Sequence, residues 1–349
     1  MENKRPTIKD IAKIAGVSHT TVYRALNNKP RISKETRKRI LGIANRLKYQ
    51  PNVLARGLII KKTKTLGLII TTIRNPFYSE LAQVIEETAR NLGYSLILGC
   101  TNYDLNIERE HINILKGKGV DGIIFTSAHV KDPNLEELKK EEFPFVLLNR
   151  RCTGCSELSK IPQVLIDNEM GGFLAVEHLI RIGHTRIGII AGSEESSVTL
   201  ERIEGAKKAF KHYGLFFDDS LITKGNFLMP SGKIGLKDLM DSSSPPTAIF
   251  ALNDYMAIGV MEEAHNLGLR VPEDLAVVGF NNIEFASFYN VSLTTIGQKK
   301  KEMGEEATKI LVNMVEGKTE KSGIKKFTPN LIIRNSCGYS LKGYKLKKI

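Results

Sequence analysis

Short apolar runs alternate with amphipathic helical stretches through most of this chain, and that alternation narrows its fold more than any other feature. Residues 66–71, 94–99, 122–126 and 145–149 read as strands, with helices expected at about 79–92, 107–118 and 134–142 between them. A second series begins near Gln163. Its strands are 186–191, 247–251 and 275–280, and its helices 171–182, 201–214, 231–240 and 254–267. Repeated βα units place strands in parallel sheets covered by helices on both faces, and two series imply two lobes. Ligands of such sheets bind beyond the carboxyl ends of the strands, where the topology opens a crevice. The loop after the first strand, T-T-I-R-N-P-F-Y, holds no G-x-G-x-x-G, and no Walker sequence occurs, which argues against dinucleotide and ATP chemistry.

The segment ahead of this body has a different character. Residues 1–64 carry seventeen Lys and Arg against three acids, Glu2, Asp10 and Glu35, a net of +14 in a chain of net +13. The remaining 285 residues therefore sum to −1. A basic head on a neutral body is the electrostatic footprint of polyanion binding. The head is patterned as well as charged. Thr7 precedes helical spacing at Ile8, Ile11, Ala12 and Ala15, with Asp10 three residues on as a first-turn acid. Gly16 stops that helix, Ser18 caps a second from His19 to about Leu26, and Val17 is the buried turn residue between them. Ser33 caps a third, with its apolar stripe at Ile40, Ile43, Ala44 and Leu47. That leaves Lys34, Arg37, Lys38 and Arg39 to solvent or phosphate. A helix, a glycine turn and a second capped helix make a helix-turn-helix, whose second helix enters the DNA major groove. His19, Thr20 and Thr21, with Arg24 a turn later, are then the side chains that reach base edges.

The stretch T-I-K-D-I-A-K-I-A-G-V-S-H-T-T-V-Y-R-A-L-N, residues 7–27, resembles the headpiece of the lactose/purine repressor (LacI/GalR) family of bacterial transcription regulators. The continuations S-K-E-T-R-K-R-I and Y-Q-P-N-V-L-A-R-G-L resemble it too. The body does likewise, through N-P-F-Y at 75–78, V-D-G-I-I-F at 120–125, G-H-T-R-I at 183–187, A-I-F-A-L-N-D at 248–254, V-P-E-D-L-A-V-V-G-F-N-N at 271–282 and L-T-T-I at 293–296. The resemblance implies an all-α helix-turn-helix headpiece at 1–50, a hinge helix and linker at 51–64, and a two-lobed α/β effector and dimerisation domain at 65–349, similar to periplasmic sugar-binding proteins. Lobe 1 would span about 65–163 and 297–328, and lobe 2 about 164–294 and 329–340. The chain would cross between lobes near 164–166, 294–298 and 328–331.

The resemblance also assigns roles. Thr7, Ser18, Asn27 and Ser33 join the recognition residues at DNA. Tyr23 departs from the family's usual small serine, and since a tyrosine there can alter base preference or add a phosphate contact, the resemblance carries over no operator sequence. In the hinge, Asn52, Ala55, Arg56 and Leu58 would meet the minor groove, with Leu58 wedged between base pairs to bend the duplex. Gly57 departs there, weakening the hinge helix by about 1 kcal/mol relative to alanine. In the inter-lobe cleft, Phe77 and Tyr78 would stack on the effector, Arg202 would donate a forked pair of hydrogen bonds, and Phe227 would line the floor. Asn253 would bond ligand oxygens. Asn281 stands where members often carry aspartate, exchanging a charge for a donor, which leaves an uncommon sugar, an acid or a non-sugar open as the ligand. Aromatic platforms with Arg and Asn suit a sugar or related metabolite. For Arg202 the sequence offers a further argument: an arginine at a helix start opposes the helix dipole and needs another reason to be there.

The expected protein is thus a cytoplasmic repressor. It is a homodimer on near-palindromic operator DNA, controlled by a small molecule, with no cofactor, no metal and no membrane span. A sensor without a DNA role is the alternative reading, opposed by the +14 head. An enzyme would need a carboxylate pair or activated nucleophile, and none is apparent. Cys152-Thr153-Gly154-Cys155 lacks the second pair a zinc site needs. It reads as a loop pair without a role. The basic tail after Ser340 has no leucine heptad to zip dimers into tetramers.

Overall fold

A computed structural model of the chain describes residues 6–49, 62–155, 158, 160–318 and 323–339. They form two compact units, divided between Thr63 and Lys64.

The first unit is three helices, α1 (Ile8–Ala15), α2 (His19–Leu26) and α3 (Lys34–Arg46). Each starts at a residue whose side chain accepts a backbone N–H that the helix leaves orphaned. Thr7 and Asp10 form a reciprocal capping box, with Thr7 N–H donating to Asp10 Oδ2 at 2.8 Å. Ser18 Oγ accepts from Thr21 N at 3.2 Å, and Ser33 Oγ from Thr36 N at 3.1 Å. Gly16 turns the chain out of α1 at φ +61°, a left-handed conformation that favours glycine. Ile11, Val22 and Ile40, one from each helix, are fully buried and pin the unit together, with Val17 packed half-buried at its edge.

The second unit is built on two six-stranded sheets. The first runs β11 (Ile324–Phe327), β5 (Gln163–Ile166), β4 (Phe145–Leu148), β3 (Gly122–Phe125), β1 (Thr65–Ile70), β2 (Ser95–Cys100), all parallel. Its helices are α4 (Pro76–Asn91), α5 (Leu105–Gly117), α6 (Pro133–Lys140) and α11 (Lys300–Val315). The second sheet runs β12 (Asn330–Ile332), β10 (Thr294–Gly297), β9 (Ala276–Asn281), β8 (Ala248–Ala251), β6 (Ile187–Ile190), β7 (Ile222–Thr223), parallel except for β12. It carries α7 (Asn168–Arg181), α8 (Ser197–His212), α9 (Met229–Met240) and α10 (Asp254–Asn266). β3, β4, β6 and β8 are buried along their whole length, as strands covered on both faces must be.

The chain passes between the sheets after Ile166, between Gly297 and Lys300, and between Phe327 and Asn330. One strand sits differently from its sequence assignment. Residues 163–166, read above as opening the second series, pair with β4 and β11 and so belong to the first sheet. Strand partners are chosen by packing, which local pattern does not encode. Among the described residues no helix is long and apolar enough to cross a membrane. Cys152 and Cys155 are joined in a disulfide within the loop after β4, where the sequence suggested a pair without a role.

Candidate functional site

In the three-helix unit, α2 turns Val22 and Ala25 inward and leaves His19, Thr20 and Arg24 exposed. Thr21 and Tyr23 are half-buried on its flank. Thr7, Ser18 and Ser33 are exposed but already engaged as caps. Asn27 gives its amide N–H to Tyr23 O at 2.9 Å, closing the C-terminal turn of α2. Arg37, expected to face solvent or phosphate, instead donates to Asn28 Oδ1 and to Lys29 O, so it braces the turn between α2 and α3. The hinge candidates Asn52, Ala55, Arg56 and Leu58 lie outside the described residues.

In the second unit the carboxyl ends of both sheets converge on one cleft. Arg150 follows β4, Tyr103 follows β2, Tyr78 sits in the first turn of α4, and Phe227 and Arg202 come from the second lobe. Tyr103 and Phe227 face each other with rings 14° from parallel and centroids 6.3 Å apart. The Arg150 guanidinium lies 5.0 Å from the Tyr103 ring and 5.1 Å from the Phe227 ring. Arg202 stacks 3.5 Å over Phe280, its Nε donating to Asn168 Oδ1 at 3.0 Å and its Nη1 to Leu252 O. Burial pulls Arg202 down to about 9, and the nearby Arg150 charge adds to the depression, although Tyr78 opposes it. Arg202 therefore still carries its proton at neutral pH. Burial likewise pushes Asp254 up to about 6, while Thr295 and the Ile283 N–H hold its carboxylate in place.

Four residues of this region have positive φ, as do others elsewhere in the chain. Tyr103 (φ +67°), Asn149 (φ +69°), Phe227 (φ +65°) and Asn281 (φ +120°) all occupy the left-handed half of conformational space. Each such residue costs on the order of 1–3 kcal/mol and persists where surrounding structure fixes it, commonly at binding sites.

The expected cleft residues divide into two groups. Tyr78, Arg202 and Phe227 come together as read. Phe77 lies edge-on to Tyr78 at 5.2 Å, in the same buried hydrophobic cluster as Tyr78 and Phe227. Asn253 caps α10 by accepting from Met256 N at 2.8 Å, and its Nδ2 donates to Phe227 O at 2.9 Å. It thus holds Phe227 and starts α10, with one amide N–H and one oxygen lone pair beyond these two bonds. Asn281 Oδ1 accepts from Gln298 Nε2 at 2.7 Å. The helix-dipole argument for Arg202 also fails: α8 begins at Ser197, so Arg202 lies in its second turn. Burial without a carboxylate partner is the reason that replaces it. Tyr103, Arg150 and Gln298 went unread. Arg150 carried a signal, because it stands two residues past a strand end of a parallel sheet.

The lobes touch across the cleft mouth. Arg151 Nε donates to Glu201 Oε1 at 2.7 Å, and its backbone N–H to Ser197 Oγ at 3.1 Å. His129 Nδ1 meets Glu195 Oε2 at 3.1 Å, Glu80 receives the Glu284 N–H at 2.9 Å, and Lys300, which pairs with Glu80 inside the first lobe, donates across to Asn282 O at 2.6 Å.

Comparison with known proteins gives the following. Residues 7–52 match the model of bacterial regulatory proteins of the lacI family, and residues 176–337 that of periplasmic binding protein-like domains. The HTH-type transcriptional regulator DegA of Bacillus subtilis (strain 168) is 38% identical over 335 residues, covering 95% of this chain and 98% of DegA. A solved Lac repressor dimer, bound to operator and the anti-inducer ONPF, is 26% identical and superposes with a TM-score of 0.84, covering 95% of this chain and 99% of its own. A complex of the transcriptional regulator CelR with cellobiose is 30% identical, with a TM-score of 0.73, over 95% of this chain and 100% of its own.

Proposed function

Because the chain belongs to the lacI family of bacterial regulatory proteins, we propose that it is a transcription repressor that binds a near-palindromic operator as a homodimer and is switched by a small metabolite in the inter-lobe cleft. The observation that carries this is the joining of two built parts in one chain. One is a capped helix-turn-helix with a polar outer face. The other is a two-sheet body whose strand ends converge on aromatic and guanidinium groups.

On DNA, α2 lies in the major groove. Arg24 pairs with guanine O6 and N7, and the Thr20 methyl and hydroxyl meet neighbouring base edges. The cap residues Thr7, Ser18 and Ser33 present their helix N-termini to backbone phosphates. Asn52, Ala55, Arg56 and Leu58 act in the minor groove as the hinge. Two-fold symmetry of the dimer makes the operator near-palindromic. Support for a dimer comes from a groove in which Ile258, Met261, Leu269 and Val291 are rimmed by Glu262 and Arg270, beside which Tyr289 is 94% exposed. The solved Lac repressor relative is itself a dimer on operator.

The effector works by differential affinity for two lobe arrangements, and by linkage it and the operator each change the other's binding. Arg151, His129 and Lys300 fasten the lobes, so a ligand that alters the closure angle acts through these bonds. Relatives are transcriptional regulators, and the chain is accordingly read as a non-enzyme working in the bacterial cytoplasm, at the nucleoid when bound. The test is selection of duplexes from a random pool by the intact protein. Enrichment of a near-palindromic site that Arg24→Ala fails to bind supports the reading. An asymmetric site, or no enrichment, refutes it.

A further inference from the structure

Building on the cleft as effector site, we propose that the effector is an oxyanion, a small metabolite bearing a carboxylate or phosphate group, and that Arg150 is the residue that receives it. Arg150 is one of the largest fully buried side chains of the protein. Its Nη2 donates to Tyr103 Oη at 3.2 Å, while its Nε is buried without a hydrogen-bond partner. Among the described residues no carboxylate forms an ion pair with it, although the next residue, Arg151, is paired with Glu201. Among the described residues Arg202, the second buried guanidinium of the cleft, hydrogen-bonds to neutral groups, Asn168 Oδ1 and the Leu252 carbonyl, and the carboxylates of Glu201 and Asp254 act on it without a hydrogen bond. Two buried cations near one another, neither answered by a carboxylate in contact, are costly to keep for stability alone. A ligand that supplies the missing charge accounts for both.

The rest of the cleft completes the description of that ligand. Ser196 and Thr199 are buried hydroxyls without partners, free to donate to further anion oxygens. Asn149 Oδ1 and Gln298 Oε1 are buried acceptors, also unpartnered, and suit hydroxyls on the same molecule. Asn281 adds no negative charge to repel the acid group, and its Oδ1 is already taken by Gln298. A planar guanidinium beside an oxyanion forms the forked, charge-assisted pairing that Arg makes best.

The experiment is thermal denaturation of the intact wild type and of Arg150→Met, in sodium phosphate or in sodium chloride at equal ionic strength. Removing an unanswered buried charge is expected to raise the ligand-free Tm of the variant. Phosphate at about 10 mM is expected to raise the wild-type Tm by at least about 2 °C more than the variant's, since a ligand of the folded state stabilises it. A lower Tm for Arg150→Met in chloride, or an equal phosphate response in both proteins, overturns the proposal. Ribose and ribose 5-phosphate separate the two readings. A shift by ribose equal to that by its phosphate, lost in Phe227→Ala, leaves the cleft as effector site and removes the oxyanion. A phosphate shift that survives both Arg150→Met and Phe227→Ala removes the cleft as well.

Discussion

Gly171→Ala tests how tightly the cleft is tied to the packing behind it. Gly171 lies in the first turn of α7, and a Cβ there would stand 2.5 Å from the rim of the Phe280 ring and 3.3 Å from Ile296 Cγ2. Ordinary contact begins at 3.4 Å, so ring or helix must retreat by about 0.9 Å. Phe280 is fully buried in β9 and has the Arg202 guanidinium stacked on its ring, which leaves it little room to retreat. Overpacking of this kind costs about 1–3 kcal/mol, offset by about 1 kcal/mol from the better helix propensity of alanine. The net loss is roughly 0–2 kcal/mol, and at about 2–4 °C per kcal/mol for a unit of this size it lowers the Tm by up to about 8 °C, while the gap to a control that gains from alanine stays at the overpacking cost itself. Because Phe280 carries Arg202, ligand binding in the cleft weakens as well. Gly117→Ala, at the end of α5 with nothing within 4 Å of the new methyl, is the control and is expected to stabilise slightly. Thermal denaturation followed by circular dichroism reads both. A Gly171→Ala protein as stable as the Gly117→Ala control would show that α7 slides freely over the sheet, and the rigid support claimed for Arg202 would be refuted.

Two further predictions concern pH. Burial, reinforced by the charges of His184 and Arg181, lowers His178 to about 4 from an ordinary 6.5, so the folded state keeps it neutral where the unfolded chain takes up a proton. Its stabilising contribution is fully present above about pH 6.5 and falls by up to about 3 kcal/mol as pH drops toward 4; His178→Gln should flatten that slope in urea denaturation, and an unchanged slope would contradict the assignment. Burial, with Asp132 alongside, pushes the Glu108 carboxyl well above the carboxylate range, while Ser127 donates to it at 2.5 Å. Ionisation in the unfolded chain then favours unfolding, so Glu108→Gln should gain stability over wild type as pH rises from about 4.5, and a constant difference across pH would exclude a protonated Glu108.

What the sequence made legible was local. Thr7, Ser18 and Ser33 cap helices in the structure because a short hydroxyl before an apolar periodic run needs no distant partner. The alternation of strands and helices emerged for the same reason. Boundaries slipped where a signal was passed over. Asn75-Pro76 opens α4 three residues before the expected start, with Asn75 Oδ1 accepting from Phe77 N at 3.1 Å. α8 begins without any side-chain cap bond, so nothing local marked Ser197 as its start. The sheet that takes residues 163–166 is decided by β4 and β11, which are 15 and 158 residues away or more, and only tertiary pairing resolves it. In the cleft the same divide holds. Phe227 and Arg202 were readable, whereas Tyr103 sits in a loop at positive φ with no motif around it. Asn253, named from the sequence as a ligand contact, also caps a helix, a second use of the amide that only its partners reveal.

The central claim is that the cleft and the helix-turn-helix are coupled within one regulator. Its most direct test is an anisotropy titration of the selected operator with intact protein, with and without the cleft ligand. A change in operator affinity of about tenfold or more, reciprocated in the ligand's own affinity, is the predicted result, since coupling free energies of this kind typically span 5–150-fold. Operator affinity unmoved by saturating ligand would contradict the account.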